Sequence, residues 1–142
     1  MYFASWIALG VAFFVVFHIL ALMLLPIKVQ DVETPIKVLN PNHQVRRGEF
    51  LVLQLHLKKY VDHGSTVYPA ILCDDGTYIT YPERKSNVPE GEGTYIISNV
   101  YLIPMYIHPN TICTTRATDD FKLNILRDKQ YIYESEPFTV IE

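Results

Sequence analysis

Apolar and polar positions fall into two regimes along this chain. The stretch from Phe3 to Pro26, FASWIALGVAFFVVFHILALMLLP, is unbroken by charge, and no Asp, Glu, Lys or Arg precedes Lys28. From about Pro35 onward the period drops to two. The clearest instance is EFLVLQLHLKKY, where Leu51, Leu53, Leu55 and Leu57 share one face and Phe50, Val52, Gln54, His56 and Lys58 the other. Alternation of that length specifies a half-buried strand.

Further strands are expected at TPIKVLNP, TVYPAILC, TYITYP, TYIISNVYLIP, TICTTRATDDFKL and KQYIYESEPFTVIE. The turns between them are marked by RRGE and DDG, and PERKSNVPEGEG reads as a long loop. About seven short strands with no amphipathic helix is the pattern of an antiparallel two-sheet sandwich. The chain therefore divides into a transmembrane helix at 1–26, a short polar linker at 27–34 and an all-β domain at 35–142.

The apolar run is long enough to cross a membrane. A hydrocarbon core of about 30 Å takes about 20 helical residues. A cleavable secretory signal is not expected, because no Lys or Arg precedes the run and it ends in LMLLP without a small-residue cleavage site. Tyr2 and Trp6 fit an interfacial aromatic belt. At 100° per residue, Ala4, Ala8, Val11, Val15, His18 and Leu22 form one stripe, a candidate seam for contact with another membrane helix. Small residues there permit close approach, and His18 can act as a polar contact. The same pattern is compatible with a plain anchor whose neutral His18 bonds to its own backbone.

Composition narrows the chemistry. Net charge is −3 with no basic run, which gives nucleic acid no footprint. Ten tyrosines and 13% aromatics fit strands and a recognition surface. Cys73 and Cys113 either form one disulfide or are small buried thiols. His43, His56, His63 and His108 are scattered, and Asp74-Asp75 and Asp119-Asp120 read as turn formers. No nucleophile-elbow, zinc-protease or phosphate-loop motif occurs. The expectation is a protein that is not an enzyme, with no catalytic residue, metal or cofactor.

From Pro35 to Val140 the order of signals resembles an immunoglobulin-like domain. IKVLNPNHQVRRGEFLVLQLHLKKY looks like its strands A and B, and NTICTTRATDDFKLNILRDKQYIYESEPFTVIE like its closing F–G hairpin. The ending ESEPFTV is similar to that of single-span Ig-like proteins encoded by tailed bacteriophages. Antibody-type domains bridge strands B and F around a tryptophan. Here strand B has no cysteine and Trp6 lies in the span. By this resemblance Cys73 falls on strand C and Cys113 on strand F, so a bridge would join neighbours in one sheet.

The resemblance implies a membrane-anchored binding module that presents an Ig-like domain, phage-encoded and acting at the host envelope. The alternative is a structural subunit of a membrane or virion complex. Its partners would be the lipid bilayer and a protein, or a second copy met through the span. Lys28 and Lys37 near the span favour a cytoplasmic domain. The candidate disulfide, the sandwich class and the short N-terminal tail favour the extracytoplasmic side, and the balance falls there.

If the stripe is a seam, Ala8→Ile should weaken span association more than His18→Leu does. Hydrogen bonds between membrane helices average only about 0.6 kcal/mol, so packing must dominate. Leu9→Ala and Phe13→Ala should matter little. A bacterial-membrane association reporter carrying residues 1–28 reads this, and a signal no higher than a monomeric control refutes self-association.

Overall fold

The computed structural model describes residues 2–142, with side chains from Ser5 onward. Helix α1 spans Tyr2–Leu24. Eleven strands follow: β1 Gln30–Val32, β2 Lys37–Val38, β3 Gln44–Arg46, β4 Phe50–Lys59, β5 Thr66–Cys73, β6 Tyr78–Thr80, β7 Arg84–Lys85, β8 Gly93–Leu102, β9 Thr111–Asn124, β10 Arg127–Glu134 and β11 Phe138–Ile141. They form two sheets, and the expected sandwich preceded by one apolar helix is what the chain adopts.

In the first sheet β4 is central. Its one edge takes β1 and then β2, and its other edge takes β8, all antiparallel. In the second sheet β9 is central, with β5 on one side and β10 followed by β11 on the other. β6 and β7 extend the sheet beyond β5. β3 closes the opposite edge by parallel pairing with β11, Val140 opposite Val45. The two sheets thus group β1, β2, β4 and β8 against β3, β5, β6, β7, β9, β10 and β11.

The count exceeds about seven because β1, β3 and β7 are short strands outside the expected segments and because KQYIYESEPFTVIE is broken into β10 and β11. β1 and β2 are pieces of one row along β4, as β10 and β11 are along β9. Between β1 and β2 the chain touches the second sheet, where Ile36 bridges to Ser135 between β10 and β11. Ile36 donates its N–H to the Glu134 carbonyl at 2.9 Å, and its own carbonyl accepts from Glu136 N–H at 2.8 Å. β1 lies inside the stretch read as a polar linker. Val29 and Gln30 are buried there, so the sheet begins within a few residues of the helix end.

The Leu face of β4 is the core, with one qualification. Leu51, Leu53 and Leu57 are buried, while Leu55 is half-buried beside a small cavity. Leu51 and Leu53 share a cluster with Ile71 of β5, Phe138 and Val140 of β11, and Ile103 and Ile107 of the loop after β8, and Leu55 packs against it. The RRGE turn needs its glycine. Gly48 has φ +77, and a Cβ there would stand 2.8 Å from the Met105 sulfur. Cys73 and Cys113 are directly opposed on β5 and β9 and are joined by a disulfide. It is a cross-strand bond within one sheet.

Leu53→Asp should abolish cooperative unfolding of the full chain in detergent, because a buried unpaired carboxylate costs several kcal/mol. Gln54→Asp, on the outer face, should shift the melting temperature by only a few degrees. Equal damage from both, read by circular dichroism, would contradict the packing.

Candidate functional site

Helix α1 is apolar and long enough to cross a membrane, and from Ser5 to Leu24 none of it is buried by the rest of the chain. Ala8, Val11, Val15, His18 and Leu22 lie along it, open to contact. The side chain of Ala4, the remaining seam residue, lies outside the described residues. The His18 ring sits on Phe14, centroids 4.7 Å apart, so its nearest aromatic partner is on its own helix.

The helix ends where β9 and β10 turn back on each other. Pro26 has no N–H, so the Leu22 carbonyl loses the donor that a continuing helix would supply. Asn124 supplies one from the end of β9, its Nδ2 donating to Leu22 O at 3.2 Å. Arg127 Nη1 donates to Leu25 O, and Lys129 Nζ donates to Ile27 O at 2.7 Å. α1 carries no basic residue in its last turn. The hairpin therefore brings the cations that the negative end of the helix dipole favours.

Just inside the sandwich lies a polar cluster around Asp119, a core-facing position of β9. Gln30 Nε2 donates to Asp119 Oδ2 and to Tyr133 Oη, each at 2.9 Å. Ser65 Oγ donates to Asp119 Oδ1 at 2.8 Å. Burial raises the Asp119 carboxyl above the usual range, against the pull of these donors and of the Lys59 charge. Burial likewise raises the Tyr133 and Tyr101 hydroxyls and pushes Tyr81 up to about 12. A cavity of ≈ 30 Å³ separates the cluster from Arg84 and Tyr101. That is room for water, whereas ligand pockets run to about 300 Å³ or more.

The four histidines outside the span are dispersed. His43 stands 3.6 Å from Glu136, and His56 stands 3.5 Å from Glu33. His63 lines a small hollow near Lys59, and His108 sits at the far loop. Among the described residues, no three metal-ligating side chains gather. Asp74 and Asp75 do form a turn, with Asp75 Oδ1 accepting the Thr77 N–H at 2.8 Å. That bond, with the Thr77 side chain, holds its carboxyl below the usual range. Asp119 is the correction, since it is a core residue of a strand and not a turn former.

The outer face of the first sheet carries a row of exposed apolar side chains along β4 and β8. Phe50 faces Leu102, and Val52 faces Val100, across β4 and β8. Leu39 adjoins Val52 from the β2 side, donating its N–H to the Val52 carbonyl at 2.9 Å. Phe50, Val100 and Leu102 are each about half exposed, and Ile96 is 63% exposed. β8 is an edge strand. Its second edge meets no other strand among the described residues, although Tyr81 Oη takes the Leu102 carbonyl. Natural edges are protected by Lys, Pro or inward charge. The sequence of β8, GTYIISNVYL, contains none of these. The outer face of the second sheet, by contrast, carries the Arg116–Glu134 ion pair at 2.7 Å.

No family model and no curated protein matches the chain. Solved structures follow part of its course. The sporulation control protein Spo0M from Bacillus subtilis is 13% identical, with 82% of this chain and 51% of that one covered and a TM-score of 0.47. The alkylpurine DNA glycosylase AlkC from Pseudomonas fluorescens is 11% identical, over 80% of this chain and 30% of that one, with a TM-score of 0.42. β-Glucuronidase 2 from Bacteroides uniformis is 18% identical, over 75% and 12%, with a TM-score of 0.34. The chain spans about half of the first of these and less of the others. These are likenesses of outline, and no activity passes from them to this chain.

The raised Asp119 carboxyl sets a sign for pH. The native state holds this proton more tightly than the unfolded chain, whose value is near 3.8. The group's contribution to stability is therefore fully present below pH 3.8 and is lost as pH rises through the native value. Asp119→Asn should melt higher than the natural chain at neutral pH, and the gap should close towards pH 3.8. A gap that widens on acidification would show the carboxylate to be net stabilised by its donors.

Proposed function

We propose that this protein is a membrane-anchored, non-enzymatic binding module that engages a protein partner through the outer face and open edge of β8. The observation that carries the reading is a ten-residue edge strand free of charge and proline beside exposed Phe50, Val100 and Leu102. An extended partner segment can add to such an edge by main-chain hydrogen bonds, with apolar side chains supplying further contact.

α1 serves as the uncleaved anchor in this reading. Asn124, Arg127 and Lys129 all bond to backbone at its C-terminal end, contacts that a discarded signal would not need. The domain stands on the extracytoplasmic side. The Cys73–Cys113 disulfide supports that side, since such bonds persist in oxidising compartments. Lys28 and Lys37 pull the other way, and Lys28 is engaged by Asp31 at 2.7 Å. Action at the envelope of a phage host rests on the sequence resemblance alone.

The second reading is an assembly subunit. The same unprotected edge favours it, because two β8 strands could pair and cover both apolar faces.

A photocrosslinking amino acid at position 96 of the full chain, in its native membrane, separates these readings. Position 132 is the control, since Ile132 is equally exposed at 63% but on the other sheet. Adducts of a different protein's mass at 96 alone, reduced at least fivefold by Val100→Arg, are the expected result. Adducts of twice the chain's own mass would replace binding by assembly. No adduct at 96, or equal yields at both positions, would overturn the site.

A further inference from the structure

The turn that caps α1 has an unusual tip. The β9–β10 connection runs Asn124, Ile125, Leu126, Arg127. Turns at the surface favour Gly, Asn, Asp and Ser. Here the two central residues are large and apolar, and Ile125 is 95% exposed with Leu126 at 44%. Asn124 fixes the turn from inside, its Oδ1 accepting the Leu126 N–H at 2.9 Å. The tip is thus a built loop that projects two aliphatic side chains outward.

Its position gives those side chains a neighbour. Asn124 and Arg127 bond to the carbonyls of Leu22 and Leu25. The tip therefore stands beside the last turn of the helix, level with Met23, Leu24 and Leu25, themselves 49%, 71% and 59% exposed. Whatever solvates the end of α1 also solvates Ile125 and Leu126. One step further from the tip the chemistry changes to charge. Lys28, Lys129 and Arg127 ring the junction, with Lys58 and Lys28 both over the Tyr60 ring at about 5 Å. Asp31 and Asp128 are the acids of this ring. Asp31 is paired with Lys28, and Asp128 lies opposite Lys122 in the β9–β10 register. Apolar side chains below a collar of Lys, Arg and Tyr match the layering of a membrane interface.

We propose that the β9–β10 tip is a second membrane contact, with Ile125 and Leu126 inserted into the headgroup–acyl boundary of the same bilayer that α1 crosses. This rests on α1 being a retained span. The domain is held to the helix by hydrogen bonds, and a helix alone would leave helix and domain free to tilt together in the bilayer. Two points of insertion, joined by the bonds from Asn124, Arg127 and Lys129, fix its tilt. β9 then runs up from the lipid surface and carries the β8 face with it at a set orientation.

The test uses the full chain reconstituted in phosphatidylcholine vesicles, and in vesicles with added phosphatidylglycerol. The two natural cysteines are bonded to each other, so Ile125→Cys offers one reactive thiol for a polarity-sensitive fluorophore. Tyr106→Cys is the control, since Tyr106 is 69% exposed in a loop near the other end of β9, about 40 Å away by strand rise. Lipids with a nitroxide high on the acyl chain should quench the label at 125 at least twofold more than the label at 106. Quenching in both vesicle types shows aliphatic insertion, and quenching only with phosphatidylglycerol shows that the basic collar drives it; either supports the contact. Equal, weak quenching at both positions, with the protein still resisting alkaline extraction, overturns the tip contact and leaves the span intact. Protein released by alkaline extraction overturns the span and the proposal with it.

Discussion

An apolar helix that stops at a proline must find donors for its last carbonyls, and where it lies in lipid no water would supply them. This chain meets that demand from about a hundred residues away. Asn124 reaches Leu22, and Arg127 and Lys129 reach the next carbonyls along the exit path. Much of the architecture follows from it. β9 must be long enough to span the sandwich and arrive at the helix, and at fourteen residues it is the longest strand. β10 must return beside it to hold Arg127 and Lys129 in place. The domain is consequently seated on its helix and not tethered by a free linker.

The interior charge belongs to the same junction. Asp119 is two residues before Phe121 on β9 and faces Gln30 of β1, the first strand after the helix. A buried carboxylate is expensive unless its oxygens are occupied. Gln30 and Ser65 occupy both of them. Gln30 also bonds Tyr133, so the segment leaving α1 is stapled to two strands of the opposite sheet. What burial costs at Asp119 is offset by a fixed exit path for the chain.

How much of this was legible in the sequence depends on period and locality. β4 and β5 were readable because Leu-only alternation and TVYPAILC leave no competing helix pattern, and RRGE and DDG announce their turns. β1 was not, since QDV is three residues long and its buried member is a glutamine. β7 was hidden in a loop rich in Pro and Gly. The parallel pairing of β3 with β11 joins residues nearly a hundred apart, and no local pattern encodes it. The disulfide was one of two open readings until Cys73 and Cys113 were found directly opposite. At the candidate site, the outward Phe50 and Val52 were visible in the alternation. TYIISNVYL is apolar on both faces, so which face of β8 lies outward needed the pairing with β4.

The Cys73–Cys113 bond closes a loop of forty residues that contains β6, β7 and β8. β5 and β9 belong to one sheet and β8 to the other, so the closed loop crosses the sandwich and returns. It includes the Pro- and Gly-rich segment at 86–93, which lies entirely inside the closure. Surface loops of that kind are where proteases cut. A cut there would break the backbone but leave every strand covalently attached to the anchor, on the end that bears α1 or through the sulfur bridge. In the anchored reading proposed above, a single hydrolysis in this loop would not shed the domain.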